Sequence, residues 1–583
     1  MNTRNTGAAL DLSRVSGLVT RYGIYVLVAT YVAINLPLVA AKPRTFDEVH
    51  AFSFDEYNIC RQADFLLRTR SLTALPANAV FPNSCNPSPY GQLYLLLIAI
   101  PLLSLQALTA VSERMVIDWA VLVLLLSGAL VLVMLYKTCR RLYPPAYGLL
   151  AVLLLMLTPD FLRWSTEIHP DLPQLALLVT SFYFGVRLHE DSQTLPGTGL
   201  VHLGLAAIFA GAAMATKFNG VFLLPVIVLA YNRPFAHGLK ACGVRPFLTR
   251  NVQCGCVLAT LFVATFLMLS PCFVAHPELV TNRFADITHL TTGRLSDVTT
   301  VTPAVDTQVS GLRQALSDLV YSNHTVAEDV LGYGVYLLCL IGLLLGLGRL
   351  AMRYSEEVQG PHALADLFNV GFLSYVLVLG YELIGGRLQP GYGRYLLPAL
   401  PTLLISGLRA PQALLRWRRL PVSLAAGLVA LGLVIGQRDM LRRAHGEYLD
   451  RYTQKEKGFF QVKSWVEAHI PRGAVIYTEA YILMPEEGYT ILRDYAVQSL
   501  PLMAASDYVI TKTLHYQIYR DPTQWEIYKT ARPQVVAAKR IYELLQNNAL
   551  PTFQKLVQLS AGDRHGYDDM VVVYKNLRPP PRR

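Results

Sequence analysis

The stretch YGIYVLVATYVAINLPLVAA, residues 22–41, carries no charge, follows Arg4, Arg14 and Arg21, and leads into Lys42 and the acidic run Phe46-Asp47-Glu48-Val49-His50. About 20 mostly apolar residues cross the hydrocarbon core of a bilayer as a helix. Short segments rich in Lys and Arg stay cytoplasmic. The first span therefore runs outward, and its direction decides on which side every later loop falls.

Ten further segments read as spans: 115–136, 146–162, 172–187, 200–216, 218–231, 255–274, 330–347, 367–385, 395–408 and 421–437. Basic clusters occupy alternate loops: Lys137, Arg140 and Arg141; Arg233, Lys240, Arg245 and Arg250; Arg349 and Arg353; Arg409, Arg416, Arg418 and Arg419. The other loops hold Asp47, Glu48, Asp55, Glu56, Glu167, Asp171, Lys217, Glu382 and Arg394. These share the outer face, where the chemistry is expected. Residues 91–110 are also apolar enough to cross, but a crossing there would turn every basic cluster outward. That segment reads as a juxtamembrane or re-entrant element packed on other helices.

The expected fold is mainly α. A cytoplasmic N-terminus (1–21) precedes a polytopic helical membrane domain (22–437) of about 11 spans plus juxtamembrane helices. A small α/β extracytoplasmic domain (438–583) follows. Composition agrees: 53% of the 583 residues are hydrophobic and 16% charged, against about 25% charged in soluble domains. The net charge of +11 would suggest nucleic acid in a soluble chain. Here the excess lies in inner-face loops, so topology and anionic membrane lipid account for it and no nucleic-acid partner is expected. Residues 22–41 read as an uncleaved anchor rather than a signal peptide.

Three outer segments are long enough to fold. The first, 42–90, contains an amphipathic helix at 54–68 with Ser53 or Asp55 near its N-cap; Cys60 and Cys85, both in this loop, are candidates for a disulfide. The second, 275–329, reads as a lid or a long connector. In the third, helical patterns at 458–469 and 537–546 alternate with strand patterns at 474–478, 507–512 and 568–574, the signature of an α/β unit. Cys254 and Cys256 have no second pair or nearby histidines, which argues against zinc.

Four clusters could carry chemistry. Asp47-Glu48 and Asp55-Glu56, each beside an aromatic residue, could supply a general base to an acceptor hydroxyl; an acid pair alone reads first as a dipole-favoured helix start. Asp171 in Glu167-Ile168-His169-Pro170-Asp171 is either an N-cap or an ionisable functional group at membrane level. His169 reads as structural, with metal ligation alongside Asp171 as the alternative. Lys217, in Thr216-Lys217-Phe218-Asn219-Gly220, either snorkels or meets a phosphate. In Gly391-Tyr392-Gly393-Arg394, preceded by Arg387, positive charge sits at an outer boundary against the topology bias, which suits phosphate binding.

Taken in order, these motifs resemble the GT-C superfamily of integral-membrane glycosyltransferases, in particular its protein O-mannosyltransferase and lipid A aminoarabinose transferase branches. The resemblance is carried by Phe54-Asp55-Glu56-Tyr57, Asn86-Pro87-Ser88-Pro89-Tyr90-Gly91, Arg140-Arg141-Leu142-Tyr143, His169-Pro170-Asp171, Thr216-Lys217-Phe218-Asn219 and Arg394-Tyr395-Leu396-Leu397-Pro398. It covers roughly residues 20–440. It implies a polyprenyl-phosphate-linked sugar donor, a lipid, glycan or protein acceptor, and a bacterial inner membrane. The catalytic role falls on Asp55, with Glu56, Asp47 and Asp171 as further acids. Lys217, Arg394, Arg387, Tyr392, Glu48 and His169 are the candidates for substrate binding. No cofactor is fixed, and a divalent metal stays open. The family often has His-Pro-Pro where this chain has Asn86-Pro87-Ser88-Pro89, so the acceptor does not carry over. The rival reading is a flippase or transporter of lipid-linked sugar, or a catalytically inactive partner subunit. Against transport stand the lack of an internal repeat and the acids gathered at one face.

Overall fold

The computed structural model describes residues 12–52, 54–73, 92–192, 198–217, 220, 224, 226–228, 244–277, 333–353, 400–410, 442, 457–479, 482–485, 487–494, 496–520, 525, 535–564 and 567–578. Their helices are α1 (Leu12–Ala40), α2 (Phe46–Phe52), α3 (Phe54–Thr69), α4 (Leu93–Gln106), α5 (Glu113–Leu142), α6 (Pro145–Met156), α7 (Pro159–Trp164), α8 (Asp171–Ser192), α9 (Thr198–Thr216), α10 (Val244–Met268), α11 (Pro271–Ala275), α12 (Tyr333–Arg353) and α13 (Leu400–Gly407). Among the described residues, four helical stretches are long and apolar enough to cross a membrane: Tyr22–Ala40, Glu113–Leu142, Gly199–Thr216 and Asn251–Met268.

These four fall on expected spans; one of those spans ends early, and one further expected span breaks. The stretch 146–162 is divided between α6 and α7. Pro159 is the reason: it has no N–H to continue the ladder of α6, and it starts α7 at a first-turn position, where that loss is harmless. The stretch 255–274 ends early at Met268, and Pro271 opens α11 in the same way. The apolar segment 91–110 forms α4, whose 14 residues rise only about 21 Å at 1.5 Å per residue, short of a ~30 Å core. It is tied to α5 by Trp119, whose indole N–H donates to the Leu97 carbonyl at 3.1 Å. The expected spans 367–385 and 421–437 lie outside the described residues.

One buried apolar core runs through α1, α3, α4, α5, α6, α8 and α9 and reaches α13. Close approach is built in where Tyr31 of α1 crosses α5: a Cβ on Gly128 would lie 1.9 Å from the Tyr31 hydroxyl. Polar ties mark the two ends of the bundle. At one end, Arg114 at the start of α5 donates to the carbonyl of Lys42, just beyond α1, at 3.2 Å. At the opposite end, Arg141 of α5 pairs with Glu190 of α8 at 2.9 Å. So α5 and α8 run the same way, and the first-loop acids lie at the end away from Arg140 and Arg141.

Residues 457–577 hold a five-stranded sheet: β1 (Val475–Glu479), β2 (Thr490–Asp494), β3 (Tyr508–Lys512), β4 (Phe553–Arg564) and β5 (Tyr567–Asn576), in the order β2-β1-β3-β5-β4. The first three are parallel; β5 joins β3 antiparallel and pairs with β4 as a hairpin. Helices α14 (Lys457–His469), α15 (Leu500–Ala505), α16 (Thr513–Arg520) and α17 (Val535–Gln546) accompany it. Alternate residues of the strands feed two cores. Ile476, Ile510, Val571 and Val573 pack with Val462 and Val466 of α14, while Tyr477, Val509, Val572 and Tyr574 pack with Ile541 and Tyr542 of α17. This is the two-sided burial expected of a parallel-centred sheet.

The expected Cys60–Cys85 bridge is corrected. Cys60 is a free, buried thiol on α3, and Cys272 is in a disulfide instead. Burial explains the first point: α3 turns Cys60 into the core with Ile59, Ala63 and Leu66. Cys85 lies outside the described residues.

Candidate functional site

The site begins where α1 ends. Lys42 follows the last turn of α1 and donates to Oε2 of Glu56 on α3 across 2.5 Å, with both side chains almost completely buried. The same Glu56 oxygen accepts the backbone N–H of Ile168 at 3.0 Å. One carboxylate thus joins the end of the first span, the acidic motif and the 165–170 loop. Burial, the largest influence on Glu56, pushes its carboxyl above the usual range, with Lys42 and the Ile168 N–H pulling it back. Its neighbour Glu167 goes the other way. Burial opposes its ionisation, but Arg163, 2.8 Å away, together with His169 and Lys42, holds it below the usual range.

Beyond Ile168 the chain turns at Pro170 into α8, whose first residue is Asp171. The Asp171 carboxylate, 1% exposed, is shared. His169 Nδ1 lies 2.5 Å from Oδ2, and the Lys217 ammonium pairs with Oδ1. Trp164 flanks His169 with ring centroids 5.3 Å apart. Lys217 follows the last residue of α9 and is itself buried. A buried ion pair of this kind carries a large desolvation cost that only good geometry offsets. The sequence alternative in which Asp171 is solely an N-cap therefore misses its main contact.

The other sequence candidates fall as follows. Asp55 lies on α3 immediately before Glu56. Asp47, on α2, pairs with Lys463 of α14, which ties the segment after α1 to the C-terminal sheet region. Glu48 works on the start of α2: its Oε2 accepts the Arg44 N–H at 2.7 Å, while its own N–H donates to Thr45 Oγ1 at 3.2 Å, close to a capping box. Arg387, Tyr392 and Arg394 lie outside the described residues, as does nearly all of the 275–329 loop. The structure therefore brings Glu56, His169, Asp171 and Lys217 into one buried region, whereas Asp47 pairs with Lys463 and Glu48 bonds at the start of α2.

Sequence reasoning missed three residues. Lys42 was legible as a cation at the end of the first span that the charge pattern assigns to the outer face. Lys463 carried no signal. Gln92 fastens the neck of the first loop, its side chain accepting the Cys272 N–H at 2.8 Å and donating to the Leu72 carbonyl at 3.0 Å. As for a metal, no group of three His, Cys, Asp or Glu side chains is placed to hold one among the described residues. His169 and Asp171 offer two ligands, and the Lys217 ammonium already occupies one Asp171 oxygen. That pair does not fit a metal site.

The chain has a fold like those of ArnT and of an archaeal oligosaccharyltransferase. Residues 102–269 match the family model for dolichyl-phosphate-mannose-protein mannosyltransferase. No curated protein matches by sequence. Among solved structures, ArnT from Cupriavidus metallidurans bound to undecaprenyl phosphate is similar over 96% of this chain and 100% of its own, at 11% identity and a TM-score of 0.53. The oligosaccharyltransferase of Archaeoglobus fulgidus in the apo form is similar over 93% of this chain and 75% of its own, at 12% identity and a TM-score of 0.54. The family match is confined to residues 102–269, and the solved structures show a likeness of fold.

Proposed function

We propose that this chain is an inverting glycosyltransferase that moves a sugar from a polyprenyl-phosphate donor to a hydroxyl acceptor at the outer face of a bacterial inner membrane. In this reading the N-terminus is cytoplasmic, and residues 438–583 form an extracytoplasmic domain. The observation that carries the reading is the joining of the α3 acidic motif to the Asp171–Lys217 pair through Glu56 and Ile168. It puts a carboxylate motif and a buried cation at one end of a bundle that has the GT-C fold. Undecaprenyl phosphate bound to ArnT and dolichol phosphate in the complex of the Archaeoglobus fulgidus enzyme AglB support the same donor class here.

Asp55 is the base: it takes the acceptor hydroxyl proton as that oxygen attacks the anomeric carbon. The bond from that carbon to the phosphate oxygen breaks on the opposite side, so the configuration inverts. Polyprenyl phosphate leaves, and its growing negative charge is met by Lys217 and Arg394. Glu56 holds the base's helix in place rather than taking the proton, because its Oε2 is already engaged by Lys42 and Ile168. Asp171 and His169 hold the Lys217 ammonium against the phosphate. Arg387, Tyr392 and Glu48 are further candidates for substrate binding.

The deciding measurement counts lipid phosphate released from polyprenyl-phosphate sugars by purified wild type and Asp55→Asn. Release by wild type and none by a folded Asp55→Asn is the expected result. Undiminished release by the variant would move the base to another acid. No release from any donor, with tight binding of the lipid, would favour a flippase or inactive partner subunit.

A further inference from the structure

Asp171 and Gln174 stand three residues apart on α8 and therefore share one face of that helix. Both reach the same residue at the end of α9. Asp171 accepts from the Lys217 ammonium, and Gln174 Nε2 donates to the Lys217 carbonyl at 2.8 Å. A helix leaves its last carbonyls without intrahelical partners, so the Gln174 amide holds the backbone at the point where the chain leaves α9. The Lys217 carbonyl also accepts the Gly220 N–H at 3.1 Å, which closes the turn. That turn folds back hard on α9: a Cβ on Gly220 would lie 2.7 Å from the Met214 nitrogen and 2.9 Å from the Ala213 carbonyl carbon.

We infer that Gln174 is a positioning residue for Lys217. It is completely buried, beside Leu172, Leu175, Ala176 and Ala213 of the apolar core. Packing alone does not call for an amide there, since burying a polar group is costly unless it is hydrogen-bonded. What the amide adds is the second grip on Lys217. Asp171 orients the ammonium and Gln174 fixes the backbone from which the side chain springs. The inference rests on the role proposed above for Lys217 at the donor phosphate.

The test compares wild type, Gln174→Leu, Lys217→Met and the double variant as full-length protein, with two readouts. The first is kcat and KM for polyprenyl-phosphate sugar. A displaced cation at the leaving phosphate is expected to lower kcat/KM by about 10- to 100-fold, mostly in kcat. The double variant should be no worse than Lys217→Met alone, because Gln174 acts through Lys217. The second readout is acylation of Lys217 by an amine-specific reagent, followed by mass spectrometry. Gln174→Leu should accelerate it several-fold while leaving lysines outside the site unchanged. A double variant that loses the product of the two single effects, or a Lys217 acylation rate equal to wild type, would overturn the inference. If wild type releases no lipid phosphate from any donor, the transferase reading fails by itself, and the acylation rate still decides whether Gln174 holds Lys217.

Discussion

The backbone N–H of Ile168 donates to Oε2 of Glu56 across 3.0 Å, joining parts of the chain 112 residues apart. The oxygen that accepts it is also the one that holds Lys42. Removing Glu56 therefore takes from a buried ammonium the carboxylate to which it donates, and from the Ile168 N–H its acceptor. Breaking a buried pair from one side typically costs about 3–5 kcal/mol, whereas replacing both partners by apolar residues is often near neutral. Glu56→Ala should lower the unfolding free energy by that order in denaturant titrations. The double variant Lys42→Met/Glu56→Leu should recover most of the loss. A double variant as unstable as the single one would mean that the pair is not what Glu56 contributes.

Asp47 pairs with Lys463 of α14 and stays 40% exposed there, so its loss should cost little; exposed pairs contribute about 0–1 kcal/mol. Asp47→Asn is expected to keep lipid phosphate release within a few-fold of wild type. Asp55→Asn should abolish release. A loss of release in Asp47→Asn as complete as in Asp55→Asn would place the base on α2.

The fold was legible where periodicity and length agree, and obscured where proline or a bulge intervenes. The expected helices at 54–68, 458–469 and 537–546 are present within a few residues, as are the strands near 474–478, 507–512 and 568–574. β4 escaped notice because two register shifts, between Lys555 and Val557 and between Ser560 and Gly562, interrupt its alternation. β2 escaped because its five residues are only partly buried. At the site, the motifs at Asp55-Glu56, Asp171 and Lys217 were readable, but their partners were not: Lys217 pairs across 46 residues and Asp47 across 416. Residue type and spacing carry no information about contacts at such separations.

The cysteines give a prediction independent of activity. Cys60 is buried and free, and burial pushes its thiol well above the usual range. A thiol of that kind reacts slowly because the thiolate is the reactive form. Alkylation of the native protein should therefore spare Cys60, while alkylation after unfolding without reductant should label it and leave Cys272 unlabelled until reductant is added. Peptide mapping by mass spectrometry checks both. A Cys60 that needs reduction before it labels would contradict the free thiol.

Asp494 ends β2 and accepts the Tyr477 hydroxyl at 2.5 Å. Burial raises its carboxyl above the usual range, the Tyr477 hydrogen bond partly offsetting that. Its native form therefore holds a proton more tightly than the unfolded chain does. The stability that this group contributes is greatest below the unfolded value near 3.9. It declines as pH rises through the window between that value and the higher native one, and is level above it. Because the carboxyl is only partly buried, solvent screening keeps the swing within about 1 kcal/mol. Asp494→Asn carries a neutral group at every pH and should lack this component. In denaturant titrations of the full chain, the stability of the variant relative to wild type should rise between pH 4 and pH 7. A difference that stays constant over that range, or falls, would mean that Asp494 ionises as freely in the folded protein as in the unfolded one.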